Sequence, residues 1–213
     1  MAATQKKVLM ISPLFFPHQG GVEKHVFEIS KRLQQKDCRV EIITSSHHSS
    51  LSLSEKIAGF EVHRFLYPKI KLIGLFVIWL KMLTYWRLVK KAHVIHIHDV
   101  MIWCLPLRLI FPKKKMILSI HGWEGTYPLP KKNVLLKQLS AKLANKVVCV
   151  GKYIEKYYQV TCDQVVCGGI NDHFALKSND SKDIQLMFVG RLEADTGLKM
   201  LLSSLHKMPK SKI

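Results

Sequence analysis

Short apolar runs alternate along the chain with stretches in which apolar residues recur every three or four positions. Val8–Ser12 is a short apolar run of the kind that forms a buried parallel strand. After the turn-rich PLFFPHQGG, Val22, Val26, Ile29 and Leu33 recur at i, i+4, i+7 and i+11, one stripe of an amphipathic helix. Val40–Thr44 reads as a second strand, a polar Ser/His loop runs from Ser45 to Ser54, and Gly59–Leu66 alternates as a third strand. Leu75–Lys91 reads as a helix and His93–Ile97 as a strand. Met116–Ile120 and Val147–Val150 are two more strands, each preceded by a helical stretch, and Gln164–Val166 is a short final one.

Strands alternating with helices of ten or more residues predict an α/β fold, a Rossmann-like doubly wound parallel sheet over residues 1–170. Residues 171–183, rich in Asn, Asp and Ser, read as a linker. Beyond it Ile184–Val189 is expected to form a strand and Thr196–Leu205 a helix. One βα unit cannot bury its own faces, because a parallel strand needs neighbours on both sides. Residues 184–213 are therefore expected to be the start of a second domain.

Composition sharpens this picture. The 213 residues are 48% hydrophobic and 23% charged, which excludes a disordered or fibrous chain. The net charge is +18, and residues 71–140 carry twelve Lys/Arg against two Asp/Glu. All four tryptophans, Trp79, Trp86, Trp103 and Trp123, lie in that segment. Such an excess points to phosphate, nucleic acid or lipid headgroups. Two readings of Leu75–Lys91 stay open. It is either a half-buried helix of the sheet with snorkelling lysines, or a membrane-surface helix with Trp79, Tyr85 and Trp86 at headgroup level. No zinc finger, RRM signature or helix-turn-helix pattern accompanies the charge, so a membrane is favoured over nucleic acid as its partner. Pro13 and Pro17 interrupt the N-terminal apolar run and no cleavage site follows, and Lys81 and Arg87 end Leu72–Leu80 too early for a membrane span. Cys38, Cys104, Cys149, Cys162 and Cys167 form an odd set without a CxxC pair, expected to be reduced thiols in a cytosolic protein.

Three strand-end features carry candidate chemistry. Gly20-Gly21 precedes a helix, where backbone amides and the helix dipole favour a phosphate. The spacing is neither GxGxxG nor a P-loop, which argues against ordinary dinucleotide and NTPase sites. His96-Ile97-His98-Asp99 ends a buried strand and puts His96 and His98 on one face. A binuclear HxHxDH site would want a histidine where Met101 stands, so a satisfied cleft or core histidine is favoured over a metal ligand. Ile120-His121-Gly122-Trp123-Glu124 ends another strand. Ligands of open α/β sheets bind at such carboxyl ends, so Gly20, Gly21, His98 and His121 outline a single crevice, with Asp99, Trp123 and Glu124 directly after its histidines.

Together, Gly20-Gly21 followed by VEKHVFEISKRLQQKDCRVEIIT, then VIHIHDV, ILSIHGWEG, KVVCVGKYIEKYY, VVCGGIND and MFVGRLEADTGLKMLLSSL, resemble the GT-B glycosyltransferases of the GT4 kind, in that family's order. The resemblance implies two Rossmann-like domains with a nucleotide-sugar between them, the first mainly receiving the acceptor. It implies transfer that retains anomeric configuration and needs no metal or other cofactor. By position, Gly20 and Gly21 would lie against the donor diphosphate and His121 near the transferred sugar, Arg191 would neutralise the departing diphosphate, and His98, Asp99, Trp123 and Glu124 would line the acceptor cleft. Many relatives have a lysine where this chain has Thr196, so one of two usual cations is missing.

The family's second domain ends with an acidic motif of two glutamates about seven residues apart, roughly another domain's length downstream. The expectation is therefore a truncated and inactive portion, or an acceptor-side chain completed by a separate donor-domain chain. The acceptor expected is lipid-linked or polysaccharide, at the inner membrane face, with no nucleic acid. The alternative is a non-catalytic α/β module or the acceptor-side subunit of a split two-chain glycosyltransferase.

Overall fold

The computed structural model describes residues 5–122, 128–169, 186–190, 192 and 196–207. Contacts divide the chain into two compact units, Met1–Gly168 and Gly169–Ile213. In the first, the described elements run β1 (Lys7–Ser12), α1 (Gly21–Gln34), β2 (Arg39–Ser45), β3 (Ser54–Ile57), β4 (Phe60–Phe65), α2 (Lys71–Thr84) and α3 (Trp86–Lys91). Then follow β5 (Val94–His98), a 3-10 turn at Met101–Cys104, α4 (Leu105–Ile110), β6 (Met116–Ile120), α5 (Lys131–Leu143), β7 (Lys146–Cys149), α6 (Tyr153–Tyr158) and β8 (Gln164–Val165). They build one eight-stranded sheet in the order β3-β4-β2-β1-β5-β6-β7-β8. Every pairing is parallel except β3 with β4. This is the doubly wound α/β sheet that the apolar runs predict.

Alternation along the strands divides the core between the two faces. Leu9 and Ile11 of β1 join Ile95 and Ile97 of β5, Leu118 and Ile120 of β6, and Ile78 and Met82 of α2. Met10 points the other way, with Ile42, Val62 and Phe60, and there it meets Val26 of α1. The stripe read from Val22 to Leu33 is indeed the buried side of α1. Because Ile95 and Ile97 face the first cluster, His96 and His98 face the α1 side, which is what brings α1 to them.

Several boundaries differ from the sequence reading. The single helix expected at Leu75–Lys91 is two: α2 starts at Lys71 and ends at Thr84, and α3 begins after Tyr85. Tyr85 ties the break inward, since its hydroxyl donates to the Arg64 carbonyl (3.3 Å). Within the stretch read as a Ser/His loop and just beyond it, Ser54–Ile57 forms the antiparallel edge strand β3, whose polar residues hide it from a hydrophobic pattern. Cys149 and Cys162 form a disulfide, against the expectation of reduced thiols. Cys149 ends β7 and Cys162 precedes the adjacent β8, so parallel pairing brings their Cα atoms to 5.9 Å, well within bridging range.

In the second unit, α7 (Leu198–Lys207) lies two residues downstream of the helix expected from Thr196. The strand expected at Ile184–Val189 is absent over its described part. Leu186, Met187 and Val189 are exposed, and no strand among the described residues accepts their backbone hydrogen bonds.

Candidate functional site

Strand β1 has β2 on one side and β5 on the other, so the sheet order reverses between β1 and β5, and α/β folds open a ligand crevice at the carboxyl ends flanking such a reversal. His98 ends β5 and His121 follows β6 directly. Their facing nitrogens, His98 Nδ1 and His121 Nε2, share a hydrogen bond of 2.9 Å. Helix α1 adds His25, whose ring centre lies 4.6 Å from that of His121 and 5.9 Å from that of His98. His96 stacks at 4.3 Å on His98 and shares a 2.8 Å hydrogen bond with Ser119 Oγ.

Burial dominates the electrostatics of this array. It drives His98 far below the ordinary histidine range, pulls His96 and His121 down to about 4, and lowers His25. Neighbouring histidines push in the same direction at His96, His98 and His121, and at His121 the Asp99 carboxylate only partly opposes it. The cluster is therefore a neutral set of donors and acceptors at physiological pH, not a cationic patch. His98 Nε2 is buried without a hydrogen-bond partner among the described residues.

Backbone geometry fixes the array. Asp99 has φ +63°, a left-handed conformation that Asp tolerates better than most residues. There its Oδ1 accepts from the His121 backbone N–H (3.2 Å) and from Lys137 Nζ (2.8 Å). Gly122 has φ +122°, a conformation strained for any residue with a side chain, and a Cβ there would have to push the Tyr153 hydroxyl aside. Its carbonyl accepts from the buried Tyr158 hydroxyl at 3.1 Å. Loop and strand thus hold His121 from both sides.

Gly20 is the N-cap of α1, and Gly21 its first residue. The place beside Gly20 is already taken by a carboxylate: Glu23 is buried, lies where a Gly20 Cβ would be, and pairs with His18 Nδ1 at 3.0 Å. Glu23 satisfies the helix dipole there. A diphosphate at Gly20 requires the Glu23 side chain to turn away. Trp123, Glu124 and Arg191 lie outside the described residues.

The structure brings His98, Asp99 and His121 together and adds two residues that the sequence reading passed over. His25 was legible, since it interrupts the apolar stripe of Val22, Val26 and Ile29 on the buried face of α1. Lys137 was not, because its helix buries Lys137 and Ser140 and exposes Leu135, Leu136 and Leu139, the reverse of an amphipathic pattern. His25, His98 and His121, with one nitrogen each within 4.8 Å of the others, are the described residues that could hold a metal ion. An ion there would have to displace the proton shared by His98 and His121.

The family model for Glycosyltransferase Family 4 matches residues 19–172, which include the glycine pair, His25 on α1, and β5 and β6 with His96, His98 and His121, though not β1. The chain belongs to glycosyltransferase family 4. Its fold is the Rossmann-like domain of the GT-B glycosyltransferases. Sucrose-phosphate synthase from Thermosynechococcus elongatus superposes with a TM-score of 0.57 at 11% identity, over 78% of this chain and 49% of that one. The catalytic domain of starch synthase IV from Arabidopsis thaliana, bound to ADP and acarbose, superposes with a TM-score of 0.52 at 15% identity, over 78% and 52%. The family 4 chain spans about half the length of both structures. No curated protein matches its sequence.

Proposed function

We propose that this family 4 domain forms the acceptor side of a retaining glycosyltransferase that moves a sugar from a nucleotide-sugar to a lipid-linked or polysaccharide acceptor. The observation that carries the reading is the neutral array of His25, His98 and His121 at the carboxyl ends of β5 and β6, beside the start of α1. Neutral imidazoles in a buried crevice can donate to and accept from sugar hydroxyls without attracting counter-ions. No metal takes part in this reading, and residues 1–213 supply no acidic motif for the nucleotide ribose. A transfer-competent form is expected to turn over unchanged in EDTA and to give product with the donor's anomeric configuration. Residues 1–213 alone are expected to show no turnover, and measurable transfer or nucleotide-sugar hydrolysis by them overturns that part.

Placement at an anionic membrane face belongs to the same reading, with a corrected surface. Trp103 is only 8% exposed, and Trp79 turns inward to donate its indole N–H to the Ile102 carbonyl (2.8 Å). Tyr85 is likewise tied to the interior, so of the aromatics assigned to headgroups Trp86 alone is exposed. The apolar surface is instead the stripe Leu72, Ile73, Phe76 and Leu80 of α2, with Leu72 83% and Phe76 58% exposed. Lys81 and Arg87 flank it. Such a face suits insertion at an anionic interface. L72D/F76D is expected to lower co-sedimentation with phosphatidylglycerol vesicles at least tenfold, and unchanged sedimentation refutes the placement. No helix among the described residues is long and apolar enough to cross a membrane.

A further inference from the structure

The amino ends of the same strands carry an open cleft of about 890 Å³, lined by Lys6, Lys90, Lys91, Lys113, Lys114 and Lys115. Among the described residues no acidic one lines it. It is separate from the histidine array. Val94 borders the cleft and His98 closes the other end of β5, four residues away, or about 13 Å at 3.3 Å per residue.

The cleft is braced rather than formed by loose side chains. Lys114 Nζ donates to the carbonyls of Lys90 (3.0 Å) and Ala92 (2.7 Å), stapling the loop before β6 onto the end of α3. The Lys114 carbonyl in turn accepts from Arg108 Nη1 at 2.9 Å, and the Lys114 N–H donates to the Phe111 carbonyl at 3.0 Å. Its partial burial lowers the Lys114 pKa, consistent with a structural rather than a ligand-facing ammonium. That leaves five exposed ammonium groups, on Lys6, Lys90, Lys91, Lys113 and Lys115, around one rigid loop. Among the described residues no carboxylate pairs with any of the five. Neighbouring like charges closer than the Debye length of about 10 Å at 0.1 M salt repel, and a multivalent anion relieves that repulsion. Ammonium groups bind phosphate oxygens as point charges from several directions, with no need for the bidentate fork of arginine. Phe111, Pro112 and Ile110 give the cleft one apolar wall.

We infer that this cleft is a second binding site, for a ligand carrying two or more phosphate charges, either a soluble polyphosphate or a phospholipid headgroup. It acts apart from the histidine crevice and does not depend on the apolar stripe of α2.

The test compares K113E/K115E with K31E/K36E, an equal change of charge at exposed positions of α1 and the turn after it. Both are made in the 213-residue chain, with thermal melts confirming that each folds and the charge-matched pair K113Q/K115Q and K31Q/K36Q replacing them should the first not. One arm titrates inorganic tripolyphosphate by calorimetry, and the other measures co-sedimentation with phosphatidic acid vesicles, with L72D/F76D alongside. Tripolyphosphate affinity at least tenfold weaker in K113E/K115E, and little changed in K31E/K36E, supports the site with a soluble ligand. Discrimination in the vesicle arm alone supports it with a lipid headgroup as the source. Equal losses in the two charge variants in both arms, or no binding in either, overturn the site. L72D/F76D failing while the lysine comparison holds, or the reverse, separates the membrane placement from the cleft.

Discussion

Replacing His121 by alanine in a transfer-competent form is expected to lower kcat/KM by about 10²–10³-fold, with the loss mainly in kcat. Removing one preorganised hydrogen-bonding group that acts on the transition state costs about that much. His121 is preorganised to an unusual degree. Its ring shares a hydrogen bond with His98, its backbone N–H donates to Asp99, and Gly122 after it holds a φ of +122° that strains any residue with a side chain. The role is that of a neutral group. With its pKa held at about 4 by burial, the imidazole carries no proton to lose between pH 6 and 8, so the rate attributable to it is flat across that window. A wild-type rate that rises with acid between pH 8 and 6 and loses that slope in H121A contradicts the assignment. H98A serves as the comparison. On the proposed function His98 would act through His121 as a positioning residue, and its loss is expected to cost about tenfold while leaving the pH profile flat.

The same burial makes the fold acid-sensitive, with a definite sign. An unfolded histidine titrates near 6.5, whereas His121 in the fold titrates at about 4. Between those values the unfolded chain binds more protons, so stability is complete above pH 6.5 and is lost as pH falls toward 4. A shift of that size costs about 2 kcal/mol by pH 5, and His96 acts in the same direction. Thermal melts at pH 7 and pH 5 read this directly.

What the sequence disclosed and what it hid divide along a physical line. Period-two and period-3.6 patterns report which side of an element is apolar, so β1, β2, β5, β6 and α1 were legible, and so was the convergence of His98 and His121 at one sheet end. Patterns do not report which way a helix is rotated against its sheet. Trp79 and Tyr85 looked like interfacial aromatics, yet their polar tips bond inward, and Leu72 and Phe76 of α2 are the ones left outside. In α5 the rotation buries Lys137 because Asp99 offers it a carboxylate, a tertiary contact 38 residues away that no local pattern contains. The edge strand β3 stayed hidden because a strand that faces water has no apolar signature. Arg64 shows the limit most sharply, a basic residue in an alternating strand that would ordinarily face solvent.

Arg64→Met is expected to destabilise the first unit by about 3–5 kcal/mol, the largest single-residue effect on folding outside the apolar core. Arg64 lies on β4 at 2% exposure, and its guanidinium is the hub of the sheet's β3 side. Nη2 donates to the Phe16 carbonyl at 2.6 Å, Nη1 donates to the Ser52 carbonyl at 3.1 Å, and Nη1 also pairs with Glu55 of β3. Methionine roughly fills the space but answers none of these acceptors, leaving two carbonyls unpaired and Glu55 without its cation. Lysine keeps the charge, yet one compact ammonium cannot span partners that a planar fork reaches together, so Arg64→Lys should recover only about half of the loss. Against a typical total of about 5–15 kcal/mol, the methionine variant should melt roughly 10 °C lower, at 2–4 °C per kcal/mol for a unit of this size. Ser45→Ala sets the scale. Its hydroxyl holds the same loop by a single bond to the Pro13 carbonyl (2.6 Å), and losing it should cost about 1 kcal/mol. The two variants also differ in reach. Phe16 stands four residues before Gly20, so freeing its carbonyl loosens the segment that delivers Gly20, Gly21 and His25 to the crevice. Arg64→Met should therefore weaken transfer even at temperatures where the fold persists. A loss below 1 kcal/mol, no larger than that of Ser45→Ala, would show that the guanidinium is a spectator and that β3 and the loop before α1 are held by their backbones alone.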